Sequence, residues 1–185
     1  GDRNVAIGRE ALGVATTADG NTAIGFDAAQ AQTTASGNVA VGVNALFSNT
    51  TGGSSVAIGG NALYAATATC GNVAIGHSTG ESMTIAKCNT LVGNLAGDAL
   101  TTGECVVAIG TAALTTATTG IYNNAVGYRS LFSVTTGTCN VGLGKDTGLE
   151  ITTGYANTAI GHCAMYNTTT GVNNTAIGYN AQPPA

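Results

Sequence analysis

The chain has 185 residues, a net charge of −4 at pH 7 and only 8% charged residues. That balance excludes the basic surface with which proteins hold nucleic acid or anionic membranes. No apolar run approaches the ~18 residues of a membrane span. With 44% hydrophobic residues, many of them alanine, and no tryptophan, one domain with a thin core is expected.

The chain opens on Gly1, Asp2 and Arg3, which fill turn positions of an earlier repeat, so an excerpt of a longer chain is expected. The sequence does not open on Met, and no signal-peptide pattern is read within it. Asn4-Val5-Ala6-Ile7-Gly8 then starts a pattern that returns at 21, 38, 55, 72, 89, 106, 123, 140, 157 and 174, always 17 residues on, without insertion or deletion. Seventeen residues are too few for two helices and a turn. They suit one coil of a β-solenoid with two or three short strands. The expected fold is all-β: a parallel β-solenoid, or β-roll, of ten complete coils and a partial one over residues 1–185. Each coil adds ~4.8 Å, giving a rod of roughly 48 Å.

Numbering each repeat from its Asn, slots two to five read as a strand. Slot two is Val or Thr in ten copies, and slot four is Ile, Val or Leu in all eleven. Alternation puts these on one face, taken as the inside. Slots three and five, largely Ala and invariantly Gly, then point outward. The turn accounts for the Gly through a positive φ. The Ala column has a second candidate explanation, a seam against another chain: Ala23, Ala40, Ala57, Ala74, Ala108 and Ala125.

Further along the coil, slot eight is mostly Ala. Slot nine is Leu or Met in six coils but Gly80, Gly97 and Gly148 in three, and those three carry Met83, Leu100 and Ile151 at slot twelve. Two slots that exchange the large residue should fill one shared volume. Coil two, with Ala29 and Gln32, breaks the rule and is expected to be weak. Slot thirteen is Thr in all ten complete coils: Thr16, Thr33, Thr50, Thr67, Thr84, Thr101, Thr118, Thr135, Thr152 and Thr169. Stacked, these make a ladder whose hydroxyls can bond along the axis. The Asn of slot one tolerates a left-handed conformation or caps the turn with its amide. Slots six, seven, ten and sixteen vary freely and read as exposed. Residues 180–185, with Pro183 and Pro184, read as an exit linker.

No catalytic constellation emerges, so no enzyme, cofactor or metal site is expected. His77 and His162 share slot six five coils apart, about 24 Å, too far to share a metal. Gly142 to Gly148 resembles a phosphate loop only superficially, since Cys139 and Asp146 stand where Gly and Ser or Thr are needed. Five cysteines cannot all pair within one chain. Cys88 and Cys105 share slot seventeen in adjacent coils, about 5 Å apart, within disulfide range. Cys70 is an alternative partner, and unpaired thiols are the plain reading.

The coil from Asn38 to Gly52, and the stretch from His162 to Gly171, resemble the repeats of bacteriophage and bacterial tail-fibre-domain proteins. A more distant similarity is to the head repeats of trimeric autotransporter adhesins. The resemblance covers essentially the whole chain. It implies parallel β-rolls, left-handed in the adhesin heads, with three chains about one axis. It further implies an extracellular, fibrous attachment element on a virion or cell surface. No individual binding residue carries over from it. The expected partner is the chain itself, as a homotrimer or as an end-to-end filament, with a cell-surface glycan or protein as candidate receptor. Rings in the free slots are the candidate sugar contacts: Phe26, Tyr64, Tyr128 and Tyr166. The Thr ladder leaves an ice-binding solenoid as a lesser alternative.

Overall fold

The computed structural model describes residues 1–183. It is an all-β parallel solenoid of about ten turns, 17 residues to a turn. Eleven strands of three residues each, β1 (Val5–Ile7) to β11 (Thr175–Ile177), pair in chain order into one parallel sheet. Every pairing joins identical slots: Val56 lies beside Val73, Ala57 beside Ala74 and Ile58 beside Ile75. A strictly kept period allows only this register.

Each coil has one strand, where two or three were expected; turns make up the rest. The reason lies in the backbone. Slots seven, nine and seventeen take positive φ in coil after coil, as at Asp27 (55°), Leu46 (53°) and Cys88 (58°). A left-handed residue breaks an extended run, so no second strand can form across these corners. Coil-to-coil backbone bonds persist through the turns even so, as from Leu46 N–H to the Ala62 carbonyl (2.9 Å) and from Thr50 N–H to the Thr67 carbonyl (2.9 Å).

The strand faces the opposite way from the expectation. Ala23, Ala40, Ala57, Ala74, Ala108 and Ala125 are completely buried inside their own coil, so they form no subunit seam. Slots two and four face outward. The cause is the large residue of slot nine, whose left-handed backbone throws it across the coil against slot three. At Gly142, a Cβ would lie 2.9 Å from Leu131 Cγ. Even a methyl group needs a shift at 142, so slot three, Gly there and Ala in nine other coils, takes only the smallest side chains beside Leu. The exception proves the volume is shared: Leu91 occupies slot three where Gly80 and Gly97 leave space, and a Cβ on Gly80 would meet Leu91 Cδ1 at 2.9 Å.

The exchange between slots nine and twelve also holds. A Cβ on Gly80 would lie 2.7 Å from Met83 Sδ, and one on Gly148 would lie 2.9 Å from Ile151 Cδ1. Coil two fills its space with Gln32, which is fully buried. The Gln32 amide donates to Asn21 Oδ1 (2.9 Å) and to the Ala35 carbonyl (3.0 Å). Its Oε1 is buried without a partner, which keeps coil two the weak point of the core.

The Asn of slot one caps the turn; slot seventeen takes the left-handed conformation instead. Asn38 shows the pattern. Its amide donates to the Gly52 carbonyl (2.8 Å), and its Oδ1 accepts the Ser55 N–H of the next coil (2.9 Å). Slot five needs glycine twice over. Its φ runs from 118° at Gly161 to 139° at Gly76, and a Cβ on Gly76 would sit 2.5 Å from the Gly93 carbonyl oxygen.

The coil track continues beyond the expected start of the exit linker. Asn180 N–H bonds the His162 carbonyl (2.9 Å), and Met165 N–H bonds the Ala181 carbonyl (2.8 Å). Residues 180 and 181 are therefore slots seven and eight of the eleventh coil. Residues 184 and 185 lie outside the described residues.

Candidate functional surfaces

Three long surfaces follow from the column geometry. The first is the outer face of the sheet, built by slots two and four. Slot four runs as Ile7, Ile24, Val41, Ile58, Ile75, Val92, Ile109, Val126, Leu143, Ile160 and Ile177, and neither slot carries a charge in any coil. Ile58, Ile75 and Ile109 each keep 38% of their surface exposed in mid-rod. A β-branched strip is what a pleated surface favours. A continuous uncharged apolar strip on a protein this polar is the physical mark of an interaction face.

The second surface is the Thr side. The ladder forms as expected: every slot-thirteen hydroxyl from Thr16 to Thr152 donates to the Thr carbonyl of the next coil, as from Thr16 to Thr33 (3.0 Å), Thr101 to Thr118 (2.9 Å) and Thr152 to Thr169 (3.2 Å). The ladder thereby supports the stack. Its hydroxyl protons are committed along the axis, and the outward Thr array is slot fourteen, interrupted by Ala68 and Ile85.

The third surface is the corner made by slots six and seven. Phe26 and Tyr128 are exposed there, each beside an arginine: the Arg9 guanidinium lies 5.5 Å from the Phe26 ring, and that of Arg129 lies 6.0 Å from Tyr128. Tyr64 and Tyr166, in slot ten, are half-buried, and Tyr64 stacks on Phe47 with centroids 5.2 Å apart. Phe26 and Tyr128 stand six coils apart, about 29 Å, as do Tyr64 and Tyr166. The four rings thus form no single site.

Cys88 and Cys105 do stack in one exposed column, but both are free thiols, as are Cys70, Cys139 and Cys163. In-register stacking points both Cβ atoms the same way and holds them near the coil spacing of ~4.8 Å. A disulfide draws Cβ atoms to about 3.8 Å. The structure forms no bond between them.

The column geometry assembles one cluster that the linear sequence hides. Slots six and seven of coils eight to ten place Arg129, Lys145, Asp146, His162 and Cys163 together. Asp146 has only 9% of its side chain exposed. Lys145 Nζ lies 2.7 Å from its Oδ2, and Arg129 Nε lies 3.6 Å from its Oδ1. The hydrogen bond from Lys145 to Asp146 holds the ammonium's pKa above its ordinary value. Reading slots six and seven jointly across neighbouring coils is the signal that would have revealed this cluster.

Elsewhere charged groups meet in exposed pairs, Arg3 with Asp19 and Arg9 with Glu10. The Arg3 hydrogen bond keeps Asp19 below the usual carboxylate range. Burial, with a smaller contribution from Glu81, raises Asp98 above it. No helix among the described residues is long and apolar enough to cross a membrane. No protein-family model, curated protein or solved structure matches the chain.

Proposed function

We propose that this solenoid is a non-catalytic segment of an extracellular fibre, self-associated as a trimer through the outer face of its sheet. The observation that carries the reading is the uncharged Val/Thr and Ile strip, which runs the full length of the rod in constant register. A copy of the same chain is the partner this strip fits best. Its period matches by construction, and rotation about an axis parallel to the rod superimposes every coil on an equivalent coil. Such cyclic closure also limits assembly to a discrete particle. Burial of the β-branched face gives roughly 25 cal/mol for each Å² of apolar surface removed from water. The likeness of the repeats to those of tail fibres and adhesin heads supports the same arrangement and an attachment role.

Replacing Ile75 and Ile109 by Lys places charges in mid-strip while leaving the coil interior untouched. The doubly substituted chain should run as a folded monomer in light scattering while keeping the β-sheet circular dichroism of the unsubstituted chain. An unchanged subunit number in that variant overturns the assignment of the seam.

A further inference from the structure

We propose that Asp146, His162 and Cys163 form a binding site for a soft divalent transition metal, zinc above all, and that the Lys145 ammonium is the cation the metal displaces. A carboxylate oxygen of Asp146, a ring nitrogen of His162 and the sulfur of Cys163 all lie within 4.8 Å of one another. Carboxylate, imidazole and thiolate together are a zinc donor set, and three protein ligands leave the fourth tetrahedral position open. Ligand atoms around zinc stand about 3.5 Å apart at bond lengths of about 2.0–2.3 Å, so the set must contract by roughly 1 Å. His162 is exposed and Cys163 half-buried, and both can rotate inward. Asp146 is fixed: its residue is only 7% exposed.

Two further observations point to a cation here. Lys145 Nζ sits between the ligands, 2.7 Å from Asp146 Oδ2 and 3.5 Å from His162 Nε2. A positive charge therefore already occupies the gap. Lys145 is 56% exposed along its side chain and can swing into solvent when a doubly charged ion takes its place. The second observation is Asp146 Oδ1, which is buried with no hydrogen-bond partner. Its neighbour Arg129 approaches only to 3.6 Å, within ion-pair reach but beyond hydrogen-bonding distance.

The groups facing the site are Arg129, Lys145, Tyr128 and, against the imidazole at 5.4 Å between ring centroids, Tyr179. The two cations oppose metal entry. The thiolate and carboxylate offset the charge of the ion, leaving the occupied site near neutral before Lys145 and Arg129 are counted.

Cobalt(II) is the probe, because a thiolate ligand gives a near-ultraviolet charge-transfer band and tetrahedral geometry gives intense visible bands. The other four thiols are exposed competitors, so Cys70, Cys88, Cys105 and Cys139 are all replaced by Ser in the full-length reduced chain. One equivalent of cobalt should produce both bands, and zinc should abolish them. Adding Cys163→Ser should remove the charge-transfer band. His162→Gln should weaken binding by about 10–100-fold, and Lys145→Gln should tighten it by about tenfold. Circular dichroism verifies that each variant keeps its fold. No thiolate–cobalt band, a band that survives Cys163→Ser, or a Lys145→Gln chain that binds no more tightly would each overturn the proposal.

Discussion

The exchange between slots nine and twelve can be transplanted from one coil to another. Coil seven carries Leu114 and Ala117, both fully buried, and Leu114 holds the left-handed backbone at φ 55°. Coil six carries Gly97 and Leu100 in the same slots. Leu114→Gly alone empties a core volume worth about 3–4 kcal/mol and recovers about 1 kcal/mol of left-handed strain, a net loss of about 2–3 kcal/mol. Ala117→Leu alone forces a second large side chain into the same space, a loss of about 2 kcal/mol. If the slots were independent, the double variant would lose about 4–5 kcal/mol. If they share one volume, it should lie within about 1 kcal/mol of the parent, a coupling of about 3–4 kcal/mol. Urea denaturation of the four chains, followed by circular dichroism, reads the cycle. Additive losses would refute the shared volume and the packing account built on it.

Other outcomes follow from the same geometry. Ala57→Leu places a large side chain between Leu46 and Leu63 without the glycines that make room for Leu91. It should destabilise the rod by about 2–3 kcal/mol in thermal melts and leave the subunit number unchanged. Gln32→Met removes a buried unpaired oxygen and keeps the volume, so it should stabilise the chain by about 1 kcal/mol in the same melts. Because burial raises the Asp98 pKa, its carboxyl favours the fold below the ordinary carboxylate range and loses that contribution as pH rises through its raised value. Asp98→Asn should therefore stabilise the chain at pH 7, by under about 1 kcal/mol given its partial exposure. The difference from the parent should vanish at pH 3, and a gain that persists there would contradict the desolvation argument.

Much of this fold was legible because the repeat never slips. An unbroken 17-residue period dictates one coil per repeat, and invariant columns must stack. The Thr ladder and the exchange of Leu for Gly are readable as columns alone. What could not be read was which side of the strand faces inward. Val and Ile outrank Ala as core residues by hydrophobicity, so alternation places them inside. The interior is decided instead by Leu46, Leu63 and their equivalents at slot nine. A left-handed Leu leaves no signature in a single repeat, since residues other than Gly seldom take that conformation. The strand count failed for the same reason. The corner of Lys145, Asp146, His162 and Cys163 was hidden because its members are adjacent only through stacking. The Cys88–Cys105 pair shows the reverse: column identity brings two thiols near, yet both stay free.

Whether copies of the same chain cover the Ile strip, as proposed, is tested most directly by sedimentation equilibrium of the full chain under reducing conditions. Three chains per particle, independent of reductant, is the predicted result. A monomer across the accessible concentration range would contradict it, and would leave the strip facing water.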